Sequence, residues 1–186
     1  MADQAAPAAR LDHVGLTVTD LTAAASWFCD VFGLVRELGV RVEALDLSIE
    51  MLIHPAFGYR VDYAGHSVVL SGDTRYSENL IRFSQGVDVL IHEVLDPEAY
   101  RASDQMYSPE QKQKVINHHT TPEQAGTVFS QVKPKLAVYS HVVPFNVNAL
   151  DLVAHTRKTY AGPLEVGEDL MSIEIGEKIE VHSAPK

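Results

Sequence analysis

Cysteine is nearly absent: Cys29 is the single one in 186 residues. No disulfide can form within the chain, which suits a reducing compartment. Basic residues are also scarce, with 15 Lys and Arg against 25 Asp and Glu and a formal net charge of -10 at pH 7. That balance argues against non-specific attachment to nucleic acid or to an anionic membrane, while leaving room for a local basic patch. Long apolar runs are missing; none approaches the roughly 18 residues needed to span a membrane. Met1 to Arg10 is Ala-rich and lacks the apolar core of a secretory signal. What is present is a 46% share of apolar residues, enough for a real core. The expectation is a soluble, cytoplasmic, acidic protein that acts on a small molecule, with no membrane partner and with nucleic acid not expected as one.

Local pattern divides the chain. Residues 1–9 read as a disordered arm. Leu11 to Val18 alternates like a strand, Thr19-Asp20 offers an N-cap, and Leu21 to Phe32 reads as an amphipathic helix ending at Gly33. Val40 to Ile53 reads as two short strands. Phe57 to Tyr63 and His66 to Leu70 flank Ala64-Gly65 as a β-hairpin. A short helix is expected over Asn79 to Phe83, a strand over Val87 to His92, a helix from Pro122 to Val132, and a strand over Lys135 to Ser140. Pro97 to Lys114 shows no clear period. Leu150 to Tyr160 reads as helix and Leu164 to Val181 as terminal strands. Strands alternating with helices beyond residue 57 imply an α/β layer arrangement, and the pattern changes near Ile53-His54-Pro55.

Two strands end on chemistry. Ser67-Val68-Val69-Leu70 runs into Ser71-Gly72-Asp73-Thr74, and Leu136-Ala137-Val138-Tyr139-Ser140 delivers His141. A carboxylate and an imidazole, each at the end of a buried strand, suit a hydrolytic zinc, manganese or iron site. Alone, an Asp after Gly is also an ordinary turn residue.

Residues 54–175 resemble the C-terminal half of the metallo-β-lactamase superfamily. The resemblance rests on Phe57-Gly58-Tyr59-Arg60, Ser71-Gly72-Asp73-Thr74, Leu90-Ile91-His92-Glu93, His119-Thr120-Thr121-Pro122-Glu123-Gln124-Ala125 and Tyr139-Ser140-His141. The His119 and His92-Glu93 pieces are similar to the ribonuclease Z branch. The resemblance implies that Asp73 bridges metals, that His141 is a metal ligand, and that His119, supported by Glu93, protonates the leaving group. The family's N-terminal His-x-His-x-Asp-His motif does not occur in this chain, so much of its ligand set is missing.

Residues 10–53 resemble a different family, the opening βαββ module of the vicinal oxygen chelate (glyoxalase) superfamily. The matching pieces are Leu11-Asp12-His13-Val14-Gly15-Leu16, Trp27-Phe28-Cys29-Asp30-Val31-Phe32-Gly33-Leu34 and Ser48-Ile49-Glu50-Met51-Leu52. That resemblance implies metal ligands at His13 and Glu50. The expected fold is therefore α+β or α/β: half of an αββα sandwich over residues 54–186, preceded by a βαββ half-module over 10–53. His13, Glu50, Asp73 and His141, with His119, would form one centre for one or two divalent ions, zinc first and manganese or iron after it. Asp12 or Glu93 would orient a ligating histidine.

The implied activity is metal-assisted hydrolysis of an ester-like bond (phosphodiester, phosphotriester, lactone or aryl ester), with broad substrate tolerance. The rivals are a glyoxalase-like lyase or isomerase using His13 and Glu50, a ribonuclease acting through His119, and a metal-free degenerate binding protein. Unfinished sheet edges in both halves predict a homodimer, with swapped N-terminal modules as one form. Cys29 reads as core. His92 reads as a loop-orienting residue, and His54, His66, His118, His155 and His182 as exposed.

Overall fold

The computed structural model describes residues 41–47, 56–104 and 106–183. The helix expected over Leu21 to Phe32, together with His13, Cys29 and Glu50, lies outside the described residues.

A six-stranded sheet organises the chain. Its strands are β1 (Arg41–Asp46), β2 (Phe57–Tyr63), β3 (His66–Leu70), β4 (Val89–Leu95), β5 (Leu136–Val143) and β6 (Leu164–Val166), side by side in chain order. The pairs β1–β2 and β2–β3 are antiparallel; β3–β4, β4–β5 and β5–β6 are parallel. The hairpin β2–β3 closes through Ala64 and Gly65, both at positive φ (48° and 83°), the mirror-image turn that matches strand twist. Arg41–Asp46, grouped by sequence with the N-terminal half-module, pairs along its whole length with β2. It therefore shares a sheet with the segment beyond residue 54.

Parallel neighbours need crossovers. These are supplied by α1 (Glu78–Phe83), then α2 (Pro97–Ala102), α3 (Pro109–His118) and α4 (Pro122–Val132), and finally α5 (Ala149–Thr156). Strand side chains alternate between faces. Val69, Leu90, Val94, Ala137 and Tyr139 meet Leu80, Val128, Phe129 and Leu152 on the helical side. Val68, Val89, Ile91, Leu136 and Val138 meet Ile173, Ile175 and Ile179 on the other. The latter three belong to a second, two-stranded sheet, β7 (Ser172–Ile175) with β8 (Ile179–His182). Among the described residues the layers run helices, large sheet, small sheet, an α+β arrangement with alternating strands and helices.

Several sequence-derived bounds shift. The strand expected to stop at His92 continues to Leu95, because Val94 and Leu95 are fully buried. Pro97 to Lys114 resolves into α2 and α3, started by Asp96, which accepts the Glu98 and Ala99 N–H groups, and by a Ser108–Gln111 capping box. The helix expected to run to Tyr160 ends at Thr156. His66 and His155 are half-buried, at 3.7 Å from Asp88 and 3.8 Å from Asp96 respectively. His92 is fully buried in β4 and edge-on to Phe129. Burial holds its pKa below the ordinary value of 6.5, only partly offset by Glu93. No helix among the described residues is long and apolar enough to cross a membrane.

Candidate active site

The C-terminal ends of β3, β4 and β5 converge, which is where open α/β sheets place ligands. After β3 the backbone turns at Gly72, whose φ is +60° and where a Cβ would fall 2.6 Å from the Phe57 carbonyl oxygen. Only glycine accepts both conditions. The turn presents Asp73, whose side chain is 56% exposed. His141 lies two residues before the end of β5, which continues past the expected stop at Ser140, and sits at φ 47°, a left-handed conformation uncommon for a residue with a Cβ.

His141 Nε2 lies 3.5 Å from Asp73 Oδ2. The His119 ring stacks on the His141 ring with centroids 5.9 Å apart and planes 25° from parallel. His119 is the C-cap of α3, and its Nδ1 lies 2.9 Å from Glu93 Oε2. Glu93 is almost fully buried, and its other oxygen accepts the Thr120 N–H at 2.7 Å. Both carboxylate oxygens are thus satisfied, as a buried charge requires. Burial disfavours a charge on His119, but the hydrogen bond and charge of Glu93, with the charge of Asp73, outweigh it. The net effect holds the His119 pKa above 6.5.

A second tier of bonds ties these segments together. Ser71 Oγ accepts the Glu93 N–H at 3.0 Å, and the Thr120 hydroxyl donates to the Thr74 carbonyl at 2.9 Å. The Leu95 N–H donates to the Thr120 carbonyl at 2.9 Å. The Asp73 loop, the Glu93 strand and the His119 segment are therefore joined as a unit. Sequence alone assigns no role to Ser71, Thr74 or Thr120; only the closeness of Ser71 and Thr74 to Asp73, and of Thr120 to His119, hints at one.

Of the sequence-derived site residues, Asp73, Glu93, His119 and His141 come together, while His13 and Glu50 lie outside the described residues. The 3.5 Å between Asp73 and His141 donors is close to the about 3.4 Å between two ligands on a tetrahedral ion with bonds of about 2.0–2.1 Å. The pair fits a divalent ion in both chemistry and spacing, but complete coordination takes ligands beyond these two. Among the described residues, the one group of three potential metal donors within 4.8 Å of one another is Glu174, Glu180 and His182. It is a candidate divalent-metal site on the exposed face of the β7–β8 hairpin, where Glu174 and Glu180 are directly opposed.

A family model described as "Beta-lactamase superfamily domain" matches residues 2–142. The chain belongs to the metallo-β-lactamase superfamily. Its sequence relatives lie on the ribonuclease Z-like side. A "Ribonuclease Z" of Mycobacterium avium (strain 104) is 30% identical over 126 residues, covering 66% of this chain and 43% of that protein. A "Ribonuclease Z" of Mycobacterium tuberculosis (strain ATCC 25618 / H37Rv) is 28% identical over 128 residues, covering 66% and 44%. The chain thus spans less than half the length of these relatives. Among solved structures, the metallo-beta-lactamase fold protein YhfI from Bacillus subtilis superposes with a TM-score of 0.53 at 18% identity, covering 77% of this chain and 50% of that one. That likeness bears on the fold alone.

Two expectations change. One superfamily model runs continuously from residue 2 through residue 53 and on to 142, and nothing supports a separate glyoxalase-like module. The expectation that nucleic acid is no partner is overturned by the ribonucleases Z among the relatives. A charge summed over the whole chain does not report the potential of one cleft.

Proposed function

We propose that this superfamily member is a metal-dependent hydrolase of ester-like bonds whose substrate is the phosphodiester of an RNA. Asp73 and His141 hold a divalent ion, and His119 acts as general acid toward the leaving oxygen. The observation that carries the reading is the chain of contacts from Glu93 through His119 to His141 and Asp73: a charge-supported imidazole beside a metal-type donor pair. The ribonuclease Z relatives support the choice of phosphodiester over lactone or aryl ester.

A bound divalent ion would supply a water of near-neutral pKa and polarise the phosphoryl oxygen. The chain's own residues do the rest. Glu93 fixes the His119 tautomer by accepting from Nδ1, which leaves Nε2 as the nitrogen that gives its proton to the departing oxygen. The Glu93 charge favours the protonated ring, holding the His119 pKa above 6.5. Gly72, the Ser71 bond to β4 and the Thr74 bond to Thr120 fix the Asp73 loop. The ligands expected at His13 and Glu50 lie outside the described residues. The Glu174–Glu180–His182 group is the less suited to hold the reacting ion, since all three residues are exposed and the His119–Glu93 acid belongs to the other cluster.

The test is hydrolysis of an RNA oligonucleotide, bis(4-nitrophenyl) phosphate, an aryl ester and a lactone by metal-loaded protein and by its His119→Ala variant. The proposal expects both phosphodiesters to be cleaved, with the variant slower by about 10²–10⁴-fold on the RNA, whose leaving group needs a proton. Cleavage of the lactone or aryl ester alone overturns the substrate, and a variant as fast as the parent on RNA overturns the role of His119.

A further inference from the structure

A cavity of about 440 Å³ opens between the end of α2 and the loop after β5, lined by Ala102, Ser103, Asp104, Val143, Pro144, Phe145 and Asn146. Its two walls are joined: the Asp96 N–H, at the start of α2, donates to the Val143 carbonyl at 2.9 Å. The Ser103 wall is braced by Lys112, whose ammonium donates to the Arg101 and Ser103 carbonyls at 2.9 and 2.6 Å. The opposite wall is a turn closed by the Val147 N–H on the Pro144 carbonyl at 3.1 Å. The cavity is thus a feature of ordered backbone.

Its composition is selective. Phe145 is 88% exposed, so a large aromatic face is held in water where core packing gives it nothing. Beside it stand one carboxylate, Asp104, and one carboxamide, Asn146, and among the described residues no cation lines the cavity. A phosphate would meet repulsion there. A flat, neutral ring with N–H groups on its edge would find a stacking face, an acceptor for its N–H groups and an amide. The location is equally specific: Phe145 follows His141 by four residues, at most about 14 Å of extended chain.

We infer that this cavity is the subsite for a nucleobase of the RNA next to the scissile phosphodiester, with Phe145 stacking on the base and Asp104 accepting from its exocyclic amino group. The inference rests on the proposed RNA substrate. Stacking on an aromatic tolerates any base, and a carboxylate acceptor selects for an amino group, as on cytosine. The subsite therefore favours amino-bearing bases over uracil.

Fluorescence anisotropy of the full 186-residue chain with short labelled RNAs, read without turnover, tests this. Phe145→Ala should weaken binding by about 5- to 100-fold, with Phe145→Trp restoring it. Leu150→Ala, which removes a comparably exposed apolar residue on α5, should leave it unchanged. Asp104→Ala should abolish the preference of cytosine-containing over uracil-only strands. Equal binding by Phe145→Ala and the parent, with RNA still cleaved, overturns the subsite and leaves the RNA substrate standing. RNA neither bound nor cleaved overturns both.

Discussion

His119 Nδ1 and Glu93 Oε2 lie 2.9 Å apart across 26 positions of sequence, joining the end of α3 to the buried length of β4. The carboxylate is the main support for a charge on an imidazole that burial disfavours. The pair sets both the position of His119 and the pH at which it can act.

Glu93→Gln keeps an acceptor for the Thr120 N–H but removes the charge. With its pKa held above 6.5, His119 in the parent stays protonated to higher pH than a free imidazole. An acid must be protonated to act, so activity falls as pH rises through that pKa. In Glu93→Gln the alkaline limb of the kcat–pH profile should move to lower pH, with kcat at neutral pH reduced by no more than the about 10²–10⁴-fold that a general acid supplies. An alkaline limb that stays in place would show that the charge of Glu93 does not govern His119.

Gly72→Ala forces a Cβ to within 2.6 Å of the Phe57 carbonyl oxygen at a φ of +60°. Strain of this kind costs about 1–3 kcal/mol. Urea unfolding should report a loss in that range, together with weaker metal retention, because the turn aims Asp73. An unchanged midpoint would mean that the loop relaxes without cost.

Asp88 anchors the opposite end of the sheet. Its carboxylate accepts the Ser67 N–H at 2.7 Å and pairs with Lys135 at 2.6 Å. Burial alone would raise its pKa; Lys135, the Ser67 N–H and His66 outweigh that and hold it below the ordinary 3.8. A depressed carboxylate pKa stabilises the fold at pH above 3.8, and the contribution fades as pH falls through the folded value. Asp88→Asn should cost about 1–3 kcal/mol at pH 7, and the gap between variant and parent should narrow as pH falls below 3.8 and through the lower folded value. A gap that persists well below 3.8 would assign the effect to packing.

The sequence was most legible where one residue type has one job. Ala64-Gly65 between two alternating runs marked the hairpin, and Pro122 marked the start of α4, whose bounds match. The sequence also brought out Asp73 and His141 as strand-end residues, and family resemblance added Glu93 and His119. What escaped it depended on tertiary contacts. The tail of β4 looked like loop because a buried Glu93 breaks the apolar run, and its acceptability comes from His119 and Thr120 far along the chain. The capping signals of Asp96-Pro97 and Ser108-Pro109 were present in Pro97 to Lys114, but a polar helix without a clear apolar stripe hides from periodicity. The charge argument against nucleic acid failed because it averaged over all 186 residues.

The central claim is that Asp73 and His141 hold the reacting ion. The most direct measurement is metal content per chain by inductively coupled plasma mass spectrometry, on protein purified without chelators or affinity tags. The parent, Asp73→Ala, His141→Ala and a Glu180→Gln/His182→Ala variant would be compared. The account predicts at least one equivalent of zinc, manganese or iron in the parent, retained when Glu180 and His182 are changed and lost when either Asp73 or His141 is. Full metal content in Asp73→Ala and His141→Ala would contradict it.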